Sequence, residues 1–344
     1  MTDLDTLAAL GWAPDFLRQL TLEELSVLTP CRVAAVHRDR VSALCPGGPV
    51  SLHPPADLTT GDIAVGDWAL CLGNQLVRLL TRRTLLARRA AGTGVQRQLI
   101  AANVDSLFIV SSCNADFNPA RLERYLALAR AANVAPVIVL SRADLSAAPD
   151  HWQDRAAAVD RRVPVVMVDA RAPGTALADW CGRGQTVALL GSSGVGKTTL
   201  ANALTGGTAA TGEIREDDAK GRHTTTERQL RAMAAGGWLI DTPGMRALRL
   251  SDAAEGIATT FDEIETLAQS CRFGDCSHDP EPGCAVQAAI AAGTLDPARL
   301  ERWHKLQRED RHNSETLAEA HARDRAFGKM VRTVMRDKTK RRGG

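Results

Sequence analysis

Apolar residues along this chain fall into two rhythms. In its middle they form short solid runs: Pro136-Val137-Ile138-Val139-Leu140, Val163-Pro164-Val165-Val166-Met167-Val168, Thr186-Val187-Ala188-Leu189-Leu190 and Trp238-Leu239-Ile240. Runs of this length, closed by polar residues or glycine, predict strands buried on both faces, as in a parallel sheet. Thr199-Leu200-Ala201-Asn202-Ala203-Leu204 reads as a helix. Nearer the start the runs are shorter. Val33-Ala34-Ala35-Val36, Val41-Ser42-Ala43-Leu44, Val50-Ser51-Leu52 and Trp68-Ala69-Leu70-Cys71-Leu72 are separated by turn-rich pieces such as Pro46-Gly47-Gly48-Pro49 and Thr60-Gly61-Asp62. That alternation predicts a small β-barrel from Arg32 to about Leu86. Residues 1–29 carry a helical spacing at Leu7, Leu10, Phe16, Leu17 and Leu20, expected to pack on the barrel. No run approaches the roughly 18 apolar residues of a membrane span, which excludes that class.

The strand ending at Leu190 runs into Gly191-Ser192-Ser193-Gly194-Val195-Gly196-Lys197-Thr198, with Thr199 behind it. This GxxxxGK[ST] pattern cradles a nucleotide triphosphate. Its glycines let backbone N–H groups curl around the phosphates, Lys197 meets the β/γ charge, and the Thr198 hydroxyl holds Mg²⁺. The following helix directs its positive N-terminus at the same charge. The strand at Trp238 ends in Asp241-Thr242-Pro243-Gly244, a DxxG turn. There Asp241 can reach Mg²⁺ through water, and the Gly244 N–H can sense a γ-phosphate. Between the two lies Gly221-Arg222-His223-Thr224-Thr225-Thr226, either a solvated loop or a switch that orders around that phosphate.

Upstream, the strand ending at Leu140 leads into Ser141-Arg142-Ala143-Asp144, whose carboxylate can pair with the N1–H and exocyclic amine of guanine. The strand ending at Val168 leads into Asp169-Ala170, the expected second base-contact loop. The order is therefore base-reading motif, base-contact loop, phosphate loop, switch, DxxG, which is that of a circularly permuted GTPase. In this order the chain leaves the core soon after Gly244. A C-terminal module would then be tethered to the second switch, and nucleotide state could reposition it.

Cys271, Cys276, His278 and Cys284 fall within fourteen residues. Three thiols and an imidazole make a closed tetrahedral zinc set, structural because all four positions are filled. The other cysteines, Cys31, Cys45, Cys71, Cys113 and Cys181, are scattered in apolar runs and show no paired framework. With no secretory leader recognised at the start, the expected compartment is a reducing cytoplasm.

Together, the permuted order, GSSGVGKTTL, GRHTTT, DTPG and the spacing Cys-x4-Cys-x-His-x5-Cys resemble the RsgA (YjeQ) family of small-ribosomal-subunit biogenesis GTPases. Asn103-Val104-Asp105 and Arg121-Leu122-Glu123-Arg124-Tyr125-Leu126 also look like that family. The resemblance runs from about residue 30 to the basic tail. It implies a multidomain protein with an OB-fold barrel (31–90), a central permuted α/β P-loop GTPase domain (91–250) and an α-helical zinc-binding domain (251–320), flanked by the N-terminal helical extension (1–30) and the basic tail (321–344) that the residues themselves suggest. It further implies hydrolysis of GTP to GDP, with Mg²⁺ and one Zn²⁺, stimulated by the 30S subunit and its 16S rRNA, by a cytoplasmic monomer.

Two departures bear on mechanism. Where Ras-like enzymes place a water-orienting glutamine, this chain has Met245, whose thioether cannot position a nucleophile. The resemblance points instead to His223, which with Lys197 makes the candidate catalytic pair; an imidazole near neutral pKa can orient or deprotonate water. The second departure is Ser141-Arg142 where the family has Asn or Thr, then Lys. Ser141 is expected to lose an amide that would tie the base loop to the phosphate loop, leaving looser guanine specificity.

Charge adds one local feature. The 42 basic and 40 acidic residues nearly cancel, so no global field marks a nucleic-acid binder. The end is different: Arg323, Lys329, Arg332, Arg336, Lys338, Lys340, Arg341 and Arg342 make a positive tail that suits a phosphate backbone. Few aromatic residues are available for base stacking, so the barrel suits shape and backbone contacts to structured RNA. The alternative function is a nucleotide-gated rRNA-binding scaffold with little hydrolysis. A small-molecule ATPase or kinase would have no use for Asp144, the cysteine cluster and the tail together.

Overall fold

The computed structural model describes residues 3–89, 97–207, 228–241, 252–279 and 281–314. The switch segment with His223, Thr242 to Met245 and the basic tail lie outside them, as does the Asp241 side chain.

Eleven strands form one continuous sheet. In chain order, β1 is Thr29–Val36, β2 Val41–Cys45, β3 Gly48–Leu52, β4 Trp68–Leu72 and β5 Gln75–Leu79. A separate hairpin pairs β6 (Leu85–Arg89) with β7 (Arg97–Ala102). The boundary drawn between residues 90 and 91 lies outside the described residues, between the end of β6 at Arg89 and the start of β7 at Arg97. Then come β8 (Ser106–Ser112), β9 (Ala135–Ser141), β10 (Val165–Met167), β11 (Thr186–Gly191), β12 (Gln229–Ala232) and β13 (Trp238–Asp241). The spatial order β10-β9-β8-β11-β13 is wholly parallel.

Every residue of β8 and β11 is buried. Because side chains alternate across a strand, each apolar run feeds two cores. Leu107, Ile109, Ile138, Leu140, Ala188, Leu190 and Ile240 face one layer, with the helix Pro119–Ala131. Phe108, Val110, Val137, Val139, Val187, Leu189 and Leu239 face the other, with the helix Lys197–Thr205.

The C-terminal helices Ala254–Thr260, Asp262–Ala268, Ala285–Ala291 and Pro297–Ser314 join the first layer. Ile257, Phe261, Ile264 and Trp303 belong to the same buried cluster as Leu126 and Ile138. Gly256 lies so close to the backbone of Ala127 and Ala131 that any Cβ there would collide with it. The C-terminal module is therefore held by packing as well as by its tether. Buried ion pairs reinforce the junction. Glu123, only 1% exposed, accepts from Arg299 (2.7 Å) and Arg302 (2.7 Å), and Arg299 also reaches Glu263 (2.6 Å).

Asp160 joins the same seam. It pairs with Arg130 (2.5 Å) and Arg162 (3.0 Å), and Arg162 continues to Asp262 (2.6 Å). Burial opposes ionisation of Asp160, but hydrogen bonds from Arg162 and Arg130 hold its pKa down at about 2. A depressed carboxylate stabilises the fold above its unfolded pKa of about 3.9, and that contribution fades as pH falls through the folded value. Asp160→Asn is therefore expected to destabilise the fold by about 1–2 kcal/mol at pH 7. The gap between mutant and wild type should close as acid titrations pass from pH 4 toward 2, and a pH-independent gap would remove the ionic account.

At the N-terminus, β1 is the hub. Arg32 pairs with Leu44 of β2 and with Trp68 of β4, so those strands lie on opposite edges of β1. Ala35 pairs with Ser42 of β2 and with Gln229 of β12, so β12 shares the β4 edge at its other end. Gln229 in turn faces Asp241 of β13. A single row, Ala35–Gln229–Asp241, thus crosses from the N-terminal strands to the parallel sheet. As expected, Leu7, Leu10 and Phe16 pack on Trp68, Leu70 and Leu80. The Arg32 guanidinium, 1% exposed, donates to Leu10 O, Asn103 O (3.3 Å) and Thr186 Oγ1 (2.7 Å), fastening the extension to the central domain.

Cys31, Cys45, Cys71, Cys113 and Cys181 are all free thiols, as expected, though two of them meet. The offset register of β1 and β4 brings Cys31 Sγ and Cys71 Sγ to 2.7 Å, both buried. Burial pushes both thiols up, so they sit as protonated core residues.

Candidate nucleotide site and metal centre

Parallel strands put all their C-terminal ends on one rim, where ligands of α/β sheets bind. The register makes this rim concrete: Gly191 faces Val110, and Ser112 faces Ser141. The phosphate loop leaves β11 at Gly191, whose missing Cβ leaves room for the Val110 carbonyl. It enters the helix Lys197–Thr205 through Gly196 at φ +91°, a conformation that L side chains rarely adopt. Lys197 Nζ donates to Gly191 O (2.9 Å) and to Ser192 O. The ammonium is thus held over the loop where phosphates would lie. Thr198 is exposed on the first helical turn, as a Mg²⁺ ligand must be.

The base-reading loop lies beside it. Ser141 is fully buried at the end of β9, and its hydroxyl faces Val195 O at 2.7 Å and Ser111 O at 3.1 Å. The loss of a tie expected here does not occur. A serine hydroxyl at this close spacing reaches the Val195 carbonyl that a longer amide would otherwise have to meet. It has one proton for two acceptors, and the shorter contact is the one to the phosphate loop. Arg142 adds a second tie. Held in the left-handed region at φ +58°, it donates from Nη2 to Gly194 O at 2.9 Å. Its guanidinium is thereby tied to the phosphate loop. Ala143 and Asp144 follow in a short 3₁₀ turn.

Two arginines at this rim escaped the sequence reading. Arg171 bridges the carboxylates of both base loops: Nη2 donates to Asp144 Oδ2 (2.8 Å), and Nε to Asp169 Oδ1 (3.1 Å). Hydrogen bonds from Arg171 hold the Asp169 carboxyl below its usual range. Ala170, between them, is buried. A basic residue directly after Asp169-Ala170 was the available signal. Arg121, one turn into the helix Pro119–Ala131, donates from Nη1 to Ser192 Oγ. It stands in a stretch noted above, but nothing in its spacing pointed to the phosphate loop.

The four predicted metal ligands converge. Their ligand atoms all lie within 4.8 Å of one another. His278 Nδ1 is 3.7 Å from Cys271 Sγ and 3.6 Å from Cys284 Sγ, and those sulfurs are 3.9 Å apart. A tetrahedron with metal–sulfur bonds of about 2.3 Å has sulfur–sulfur edges of about 3.8 Å, so the donor set fits zinc. Cys284 also caps the helix Ala285–Ala291, its sulfur accepting from Gln287 N at 3.4 Å. His278, at φ +60°, has its carbonyl held by Gln287 Nε2 (2.5 Å).

Comparison with known proteins agrees with this geometry. Residues 79–251 match the family described as RsgA GTPase. The small ribosomal subunit biogenesis GTPase RsgA of Mesorhizobium japonicum is 56% identical over 317 residues, 90% of this chain and 91% of that protein. The protein named RsgA 2 in Vibrio parahaemolyticus is 50% identical over 340 residues, 97% of this chain and 94% of that one. Among solved structures, YjeQ from Thermotoga maritima superposes with a TM-score of 0.61 at 23% identity, over 81% of this chain and 97% of that one. YloQ, described as a circularly permuted GTPase, gives 0.59 at 21% identity, over 84% and 97% of the two chains. The chain belongs to the RsgA GTPase family and has the circularly permuted GTPase fold.

Proposed function

We propose that the protein hydrolyses GTP to GDP and phosphate on the small ribosomal subunit, in the late maturation of that particle. The observation that carries this reading is the meeting of phosphate loop and base loop at one rim, joined through Ser141 Oγ and Val195 O. The names of its relatives supply the subunit. The phosphates lie along Gly191 to Thr199, with Lys197 turning from the loop carbonyls onto the β/γ oxygens. Guanine is read by Asp144 and the Ala170 backbone. Thr198 and, through water, Asp241 would hold Mg²⁺, which when bound would supply charge neutralisation at the phosphoryl oxygens. Gly244 senses the γ-phosphate.

The five antiparallel strands from Thr29 to Leu79 support an OB-type barrel that contacts 16S rRNA by shape. The basic tail adds salt-dependent attraction to the same RNA. Cys271, Cys276, His278 and Cys284 hold one structural zinc. The protein works in the cytoplasm as a monomer; no helix among its described residues is long and apolar enough to cross a membrane.

His223 is the proposed catalytic group, because Met245 cannot orient water. Single-turnover hydrolysis with and without 30S subunits tests both activity and residue. Wild type should be slow alone and fast on the subunit. His223→Ala should lose about 100-fold of the stimulated rate, the scale of a lost general base, with GTP affinity nearly intact. Full stimulated turnover in His223→Ala would assign the catalytic group elsewhere. An unstimulated wild type would favour the scaffold reading.

A further inference from the structure

We propose that Arg171 is a placeholder for the guanine base, holding the Asp144 carboxylate when the site is empty and withdrawing to Asp169 when nucleotide enters. The inference rests on the reading of Asp144 as the guanine receptor. Its chemical ground is mimicry. A guanidinium presents paired, coplanar N–H donors to a carboxylate, as do the N1–H and 2-amino group of guanine. In the structure one such donor, Arg171 Nη2, already lies 2.8 Å from Asp144 Oδ2.

Asp169 supplies the second perch. It accepts from Arg171 Nε at 3.1 Å and from Nη2 at 3.3 Å. Its Oδ1 also accepts the Arg171 backbone N–H at 2.9 Å, which fixes the loop that carries the arginine. Arg171 can therefore release Asp144 without losing its charge partner. A small rotation of an exposed side chain is enough, since Arg171 is 67% exposed. Without Asp169, the guanidinium would have Asp144 as its one carboxylate among those it touches. An incoming base would then compete with a fully engaged arginine.

The consequence is a set point for affinity. Nucleotide binds only the fraction of molecules whose Asp144 is clear, so apparent affinity scales with that fraction. On release, Arg171 takes the vacated carboxylate as guanine leaves.

A double-mutant cycle on the full-length protein, read by calorimetric titration with GDP, tests this. Asp169→Asn keeps an acceptor for the loop N–H but removes the perch charge. It should weaken GDP binding about tenfold, as expected if the fraction of molecules with Asp144 clear falls tenfold. Arg171→Ala should bind GDP at least as tightly as wild type. Adding Arg171→Ala to Asp169→Asn should restore that affinity. A double mutant as weak as Asp169→Asn would overturn the placeholder, because Asp169 would then act on the base loop itself. A large loss in Arg171→Ala would overturn it too, since the arginine would then be holding the base. Asp144→Asn, titrated with GDP and xanthosine diphosphate, separates the two levels. If that mutant leaves GDP binding unchanged, the guanine reading fails. If it exchanges the preference while the cycle is simply additive, only the placeholder fails.

Discussion

Asp144→Asn is expected to weaken GTP binding by about 100-fold or more and to make xanthosine triphosphate the better ligand. The carboxylate offers two acceptors to the N1–H and 2-amino donors of guanine. An asparagine turns one acceptor into a donor, which then faces another donor across a short gap. Xanthine carries a carbonyl at that position and accepts the new N–H. The loss is large because a donor pressed against the base's own donor forfeits a hydrogen bond and its hydration together. Competition binding with the two triphosphates reads the result directly. Asp144 also loses its ion pair with Arg171 in this mutant. The control is the Arg171→Ala background, where the same exchange of preference should persist. Equal GTP affinity in wild type and Asp144→Asn would remove this residue from the base site.

The second large effect concerns the metal. Purified protein never exposed to chelator should carry about one zinc per chain. Binding energy at a structural zinc is folding energy, on the order of 10 kcal/mol at neutral pH. Cys284→Ala removes a buried ligand and the cap of the helix Ala285–Ala291 at one stroke. The segment from Cys271 to Ala291 should then become open to limited proteolysis. Stripping zinc from wild type should do the same, and readdition should reverse it. Because Val286 and Trp303 share the core of Phe261 and Ile264, thermal stability of the central domain should fall as well. Metal-free protein with an unchanged proteolytic pattern would show that the four side chains cluster without a metal's help.

What the sequence reveals, and what it hides, follows from the range of the interactions. The phosphate loop is legible because its chemistry is written in eight consecutive residues. The zinc set is legible for the same reason, with all four donors close along the chain. The alternation of Ile138 and Leu140 against Val137 and Val139 shows why solid apolar runs marked the central strands. Contacts made at a distance are another matter. Ser141 and Val195 stand 54 positions apart, and only the side-by-side ends of β9, β8 and β11 bring hydroxyl and carbonyl together. Arg171 and Asp144 are separated by 27 positions and belong to different loops. The strand Gln75–Leu79 was missed because its apolar pattern is interrupted by Arg78, which turns out to pair with Glu24 at 2.7 Å. Buried Glu123 reads in sequence as one more polar residue of a helix, and its two arginines come from the far end of the chain.

The row Ala35–Gln229–Asp241 also has a consequence for the order of synthesis. Strand β1 leaves the ribosome long before β12, the strand that finishes its edge. At about 5–20 residues per second, the gap from Ala35 to Gln229 lasts roughly 10–40 s. A strand edge left open that long is an invitation to pair with a neighbouring chain. Here the open stretch is short, because β4 covers the same edge from Thr29 to Arg32 within the first few tens of residues. The N-terminal strands can therefore close on themselves early, with one position near Ala35 waiting for the last part of the central domain. Nascent protein arrested before residue 229 should already protect the β1–β4 amides, while the Ala35 end of the strand stays open to exchange.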